Sequence, residues 1–398
     1  MQHQGSARIV GCAALTGAGR GAAAFWQALS AATPLQARHD LGDPRLNDAK
    51  YVRIESPRDP APELAAAWLQ DVCDEALRAA APTLRTMRAP RLALLCGTSL
   101  GGMSAFEAAH RTRWGEPSAG PGLAVNRPPP SAATYDGPAT AVGARLPLTT
   151  GAWTLNTACS SAANALGLSR LWLAKGRIDA AVVAGVDVIS PFVYAGFSCI
   201  NAVDPEPTAP FGRDRRGLNL GEAAVAFVLT RSADAVHVPQ PVDLVGFGCA
   251  CDAHHLTRPD PTGLGLGRAI AAALTDAGLG PGAIGLLSAH ATGTPHNDRM
   301  EAAAFAHVFG AALPPLHAAK PVAGHTLGAS GAVDALAVML MLQHEEVPPT
   351  FARGAPDPTL ACQPTRERRR LSPTTIALST SSGFGGSNTA LVFKRGDA

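Results

Sequence analysis

Apolar residues follow two alternating rhythms along the 398-residue chain. Short unbroken apolar runs closed by glycine or a polar residue, such as "ARIVGCAAL", "RLALLCGTS", "AAVVAGVDV" and "AVAFVLTRS", read as strands buried on both faces. Between them, apolar positions three and four apart predict helices, as in "ELAAAWLQDVCDEALRAAA" and "SSAANALGLSRLWLAKG". Strand and helix in alternation predict an α/β layered fold. After "HVPQP" the pattern restarts with a strand ("VDLVGFG"), a helix ("GLGRAIAAALTDAG") and a strand ("IGLLSAHATGT"). Two helices ("DRMEAAAFAHVFG", "ASGAVDALAVMLMLQHE") and a closing strand pair ("TTIALSTSSGFGG", "NTALVFK") complete it. Two halves of like element order predict an internal duplication, residues 1–235 and 236–398, with the junction near 232–242. The proline-rich stretches 117–138 and 347–373 read as loops.

Composition narrows the class. Hydrophobic residues make up 46% and charged residues 16%, enough apolar material for a large core. A formal net charge of +2 supplies no broad field for nucleic acid or an anionic membrane, so neither is an expected partner. The runs "AAVVAGV" and "ALAVMLML" are shorter than a bilayer span needs, and "MQHQGSARIVGCAAL" lacks the order of a signal peptide. A cytoplasmic protein is the expectation. Eight cysteines form no CxxC pair and no metal-finger spacing, so neither a disulfide framework nor a metal site is expected.

Four segments set small residues around a reactive side chain at the end of a predicted strand. In "TLNTACSSAANALG", Cys159 falls at the start of a predicted helix, where free N–H groups and the helix dipole favour a thiolate. The small residues Ala158, Ser160, Ser161, Ala162 and Ala163 beside it leave room for a substrate. On its own the stretch reads sooner as a buried core thiol than as a nucleophile. "SAHATGTPHND" carries His290, "AAKPVAGHTLGASGAVDAL" carries Lys320, His325 and Asp334, and "STSSGFGGSN" makes a glycine turn between two strands. The last lacks the spacing and following helix of a dinucleotide fingerprint, and "GTSLGG" at 97–102 lacks the Lys-Ser/Thr ending of a phosphate loop.

Taken in order, "TACSS", "HATGT", "K…GHTLGA" and "GFGGSN" resemble the motifs of the elongating 3-oxoacyl-(acyl-carrier-protein) synthases, with supporting matches in "APFGRDRRGLNLGEAA" and "GCACDAHHLTRPDPTG". The resemblance covers nearly the whole chain. It implies a thiolase-like α/β fold, two duplicated halves in a five-layer αβαβα arrangement. It also implies decarboxylative condensation of malonyl-carrier protein with an acyl group held as a thioester on Cys159, in fatty-acid, polyketide or aryl-polyene synthesis. His290 and His325 would donate ring N–H groups to the enolate oxygen. The backbone N–H groups of Cys159 and Phe384 would form the oxyanion hole, and Lys320 would tune the charge of the site. Thr292 and Thr294 would hydrogen-bond the pantetheine arm. No metal or organic cofactor is implied.

Several departures qualify the resemblance. Asp334 stands where many relatives carry Glu, so a link to Lys320 is expected to be longer or bridged by water. Ala291 replaces a glycine. The region 115–140 is shorter and richer in proline, which tilts the reading toward a specialised synthase. Phe106 aligns with a position lining the acyl pocket; an ordinary core aromatic fits its periodicity equally well. The implied partners are acyl-carrier protein and a second ketosynthase-like chain, as a homodimer or a heterodimer. Arg213, Arg215 and Arg216 are candidates to meet the carrier's acidic surface, or are simply solvated turn charges. The chain could instead be the structural or chain-length-setting half of a heterodimer, but Cys159, His290 and His325 argue against a silent subunit. No second cysteine lies in the glycine turn, as a thiolase would have, and His325 stands where initiating synthases carry Asn.

Overall fold

The computed structural model describes residues 5–55, 63–114, 131–236 and 238–397; part of the proline-rich region, 115–130, lies outside the described residues. The first half contributes β1 (Ala7–Thr16), α1 (Leu64–Leu84), β2 (Leu92–Gly97), α2 (Met103–Trp114), β3 (Gly151–Leu155), α3 (Ser161–Ala174), β4 (Ala180–Asp187) and β5 (Ala223–Arg231). The second contributes β6 (Val242–Cys251), α4 (Leu264–Ala277), β7 (Ile284–Ser288), α5 (Pro295–Phe309), β8 (Leu316–His317), α6 (Ser330–His344), β9 (Ile376–Gly383) and β10 (Ser387–Arg395).

The duplication read from the pattern is written into the sheet. Strand order is β3-β2-β4-β5-β1 in the first half and β8-β7-β9-β10-β6 in the second, the same order shifted by one half. The directions repeat too. β2 pairs in parallel with β3 and β4, as β7 does with β8 and β9. β5 runs antiparallel between β4 and β1, as β10 does between β9 and β6. The halves meet where β1 pairs antiparallel with β6 through Ala7–Leu244 and Arg8–Asp243, and the Arg8 Nε donates to Asp243 Oδ1 at 2.8 Å.

Helix α1 covers β1, β4 and β5 on one outer face, and α4 covers β6 and β10 on the other. Between the two halves of this sheet lie α3 and α6, packed on each other and on strands of both halves. This is the five-layer arrangement. The inner core therefore mixes the halves, joining Leu166, Val183 and Phe227 to Leu336, Leu391 and Phe393. A central helix has no solvent face, so α6 is apolar all round. With the turn before it, Leu327–His344 has the length and mean hydropathy (1.3) of a membrane span, contrary to the reading of "ALAVMLML" as too short; 89% of it is buried inside the fold.

Close approach of the central helices sets their composition. A Cβ on Gly331 of α6 would meet the Ala163 backbone N at 2.5 Å, and one on Gly97 would meet the Ala162 N at 2.3 Å. The small residues after Cys159 thus let backbones pack, rather than opening space for a substrate; Ser160, Ser161 and Ala162 are fully buried. In each half the third strand leads into the central helix. Cys159 sits on that connection in the first half, and His325 sits on it in the second.

Candidate active site

The turn carrying Cys159 enters α3 through Ala158 at φ 51°, with Ser160 at the cap position. Ser161 stitches it: its hydroxyl accepts from the Thr157 N–H at 2.9 Å and donates to the Ala158 carbonyl at 2.5 Å. Across the half boundary, His325 Nε2 lies 3.1 Å from Cys159 Sγ. The ring of His290 stands edge-on to that of His325, centroids 5.1 Å apart and planes 85° apart. The strand predicted in "IGLLSAHATGT" ends at Ser288, which leaves His290 on the loop beyond it.

Burial dominates the electrostatics. It pushes the Cys159 thiol up to about 12, although Lys320 and the N–H groups of Phe384 and Cys159 pull the other way. The thiolate expected at the helix start is therefore not the resting form, because burial of the sulfur at the foot of the site leaves its charge poorly solvated. Burial and the nearby Lys320 hold both imidazoles well below the usual histidine range, so His290 and His325 are neutral. Thiol and imidazole rest as an uncharged pair sharing one proton. The backbone N–H groups of Phe384 and Cys159 are among the groups that favour the charged form of the thiol.

Lys320 reaches Asp334 directly, Nζ to Oδ2 at 2.9 Å, with both side chains buried. The longer or water-bridged link expected from the shorter acid is absent, since Lys320 and Asp334 lie on adjoining buried segments that close the gap. Burial pushes the Asp334 carboxyl up while Lys320 pulls it back.

A cavity of about 410 Å³ opens onto Cys159, His290 and His325, with Thr292, Thr294 and Phe384 on its wall. The two threonine hydroxyls lie 3.0 Å apart, and the Phe384 ring stacks on Phe197 at 5.8 Å. Phe106 does not join this wall: α2 turns it outward, 43% exposed, beside His110. Of the three arginine candidates to meet a carrier, Arg215 is buried, with Nη1 donating to Asp357 Oδ2 at 2.6 Å, and does not face one. Arg213 is exposed, and Arg216 lines the cavity mouth while donating to Asp204 at 3.1 Å.

Two acids that sequence reading passed over hold the site in shape. Glu301 Oε1 accepts from the His290 N–H at 2.8 Å and Oε2 from the Ala291 N–H at 2.6 Å. That clamp holds Ala291 at φ 47°, a left-handed conformation that costs an alanine about 1 kcal/mol and explains the glycine usual there. Asp187, at the end of β4, accepts from Thr98 Oγ1 (2.5 Å) and from the N–H groups of Ser99 (3.0 Å), Leu100 (3.0 Å) and Gly328 (2.6 Å). The "GTSLGG" loop thus wraps a carboxylate of the protein itself. Glu301 followed a histidine motif by eleven residues, a spacing that could have marked it; Asp187 ends an apolar strand and gave no such signal.

The beta-ketoacyl synthase N-terminal domain model matches residues 31–235, and the C-terminal domain model matches 242–352. The 3-oxoacyl-[acyl-carrier-protein] synthase 2 of Staphylococcus aureus is 33% identical over 338 residues, covering 81% of this chain and 80% of the relative. The protein of the same name from Synechocystis sp. is 35% identical over 250 residues; this chain spans 60% of that relative's length. Among solved structures, the ketosynthase ApeO in complex with its chain length factor ApeC from Xenorhabdus doucetiae matches with TM-score 0.83 and 28% identity, covering 100% of this chain and 99% of that one. The ishigamide ketosynthase/chain length factor matches with TM-score 0.86 and 25% identity over 99% of this chain and 100% of that one. The chain belongs to the beta-ketoacyl synthase family.

Proposed function

We propose that this protein is a condensing enzyme that joins an acyl group, held as a thioester on Cys159, to the two-carbon unit of malonyl-carrier protein with loss of CO2. The observation that carries this reading is the meeting, in one cavity, of the Cys159 thiol, His325 Nε2 at 3.1 Å, the His290 ring and Phe384 of the glycine turn.

In the first step Sγ attacks the carbonyl carbon of the incoming thioester while its proton passes to His325 Nε2. The carbonyl oxygen, now anionic, accepts from the Cys159 and Phe384 N–H groups. Collapse expels the pantetheine thiol, which leaves with the proton. In the second step malonyl thioester loses CO2, and the enolate oxygen accepts ring N–H groups of His290 and His325. Neutral imidazoles suit this role, because each keeps a proton to donate without a buried charge. The enolate carbon then attacks the acyl thioester and Cys159 leaves as thiolate. Lys320, held by Asp334, supplies the positive charge that steadies the anionic stages. Thr292 and Thr294, on the cavity wall, would bond the pantetheine amides. The thioester and the departing CO2 supply the driving force, so this reading calls for no cofactor; a cytoplasmic enzyme is the location it goes with.

A second reading makes this chain the active half of a ketosynthase heterodimer. The two solved relatives of 25% and 28% identity that pair a ketosynthase with a chain length factor favour it. Incubation with malonyl-carrier protein and a panel of acyl-carrier primers, followed by intact mass, tests both. An acyl adduct on Cys159 and a product extended by two carbons support the condensing reading. Failure to acylate or condense with any primer, alone or with a partner chain, refutes it.

A further inference from the structure

The duplication places matching bonds across the boundary between the halves. Asp187 ends β4 of the first half and takes the Gly328 N–H, on the connection to the second half's central helix, at 2.6 Å. In the second half the equivalent strand is β9, and its turn into β10 ends at Ser387. Ser387 Oγ lies 2.9 Å from Ser160 Oγ, on the connection to the first half's central helix. One turn further on, Thr389 Oγ1 donates to Asn164 Oδ1 at 2.9 Å. Each half thus grips the segment of the other that carries its reactive side chain.

Ser160 Oγ has three oxygens in reach, the Thr157 carbonyl at 2.8 Å, Thr157 Oγ1 at 3.0 Å and Ser387 Oγ at 2.9 Å, and either hydroxyl of the Ser160–Ser387 pair can be the donor. Ser160 neighbours Cys159, and Ser387 lies three residues past Phe384, which lines the same cavity as Cys159. The same closeness shows in the backbone, where a Cβ on Gly383 would meet the Cys159 N at 3.0 Å and the Thr157 carbonyl oxygen at 2.8 Å.

We propose that Ser387 is a positioning residue: its hydroxyl fixes the Cys159 turn against the glycine turn, so that Sγ meets the Phe384 N–H and His325 Nε2 together. The inference deepens the condensing reading and rests on it for the acyl-transfer step, but not for the reactivity of the thiol itself.

Two measurements separate the two claims. The first is alkylation of Cys159 by iodoacetamide, which needs no carrier protein; the second is acyl transfer from an acyl-carrier primer, resolved into kcat and KM. Ser387→Ala is expected to lower the alkylation rate and the acyl-transfer kcat by about tenfold or more, as a displacement well below 1 Å does, with KM and Tm little changed. Ser387→Thr, which keeps the hydroxyl, restores both. Ser160→Ala removes the same bond from its other side, and the double variant should lose no more than the worse single one. The proposal is overturned if Ser387→Ala stays within about twofold of the parent in alkylation, if Ser387→Thr fails to rescue, or if the single losses multiply in the double variant. Loss of alkylation without any acyl transfer in the parent would keep the positioning role and sink the condensing reading.

Discussion

Cys159 Sγ and His325 Nε2 lie 3.1 Å apart although 166 residues separate them, and they occupy corresponding connections in the two halves. The pair is uncharged at rest because burial, not the helix start, sets the thiol. Activation must therefore come from proton transfer during attack rather than from a standing thiolate.

The alkylation profile follows from that. With the Cys159 thiol pushed up to about 12, its reaction with iodoacetamide should keep rising through pH 9 and 10, where an ordinary thiol of pKa about 8.5 has levelled off. His325→Ala should flatten the reaction near neutrality by removing the proton acceptor, and lower acyl transfer by about 10²-fold or more. A rate that plateaus below pH 8 in the parent would contradict the uncharged pair.

The histidines also link stability to pH. Both are held well below the ordinary value of 6.5, so the unfolded chain binds their protons first as acid is added. Stability from each is present at neutral pH and lost as pH falls below about 6.5, by at most about 1.4 kcal/mol per pH unit. The buried carboxyls of Glu301 and Asp187, pushed up to about 7 and about 6, slope the opposite way: their contribution is lost as pH rises. A difference isolates the histidine. The stability of the parent minus that of His325→Gln, from denaturant unfolding, should decline between pH 7 and pH 5; a flat difference would mean that His325 titrates normally in the fold.

How far the sequence could be read depended on whether a residue's partner was local. Strand ends mark themselves by period and glycine, so the junctions holding Cys159, His290, Lys320 and His325 were visible, and so was the repeat. The surroundings of Arg215 were not. Its partners Asp298 and Asp357 lie 83 and 142 residues away, and nothing nearby distinguishes a buried arginine from the exposed Arg213 two positions earlier. The Cys159 turn misled for a similar reason, since its small residues answer to Gly97 and Gly331 on other elements. Phe106 has the periodicity of a core position, yet in α2 it faces outward.

That contrast between neighbouring arginines gives a sharp test of carrier docking. Arg216 is 58% exposed at the cavity mouth, whereas the side chain of Arg215 is 5% exposed in its ion pair. Arg216→Ala should raise KM for an acyl-carrier protein severalfold, more strongly at low salt, and leave Tm unchanged. Arg215→Ala should instead lower stability by about 3 kcal/mol, the usual loss when one partner of a buried pair is removed, with KM for the carrier unaltered in the folded fraction. A KM effect confined to Arg215 would reverse the assignment.

Lys320 and Asp334 allow stability and catalysis to be separated. The direct 2.9 Å pair is buried on both sides, so Asp334→Ala strands an ammonium in the core and should cost about 3–5 kcal/mol. Replacing both, as Lys320→Met with Asp334→Leu, removes the stranded charge along with the pair. Stability should then return to within about 1–2 kcal/mol of the parent, because apolar groups of similar volume substitute well for a buried ion pair. Condensing activity should not return with it, since the positive charge beside Cys159 and the two histidines is gone. Urea unfolding and acyl transfer measured on the same three proteins decide the matter. Recovery of activity together with stability would show that the pair acts only as scaffold.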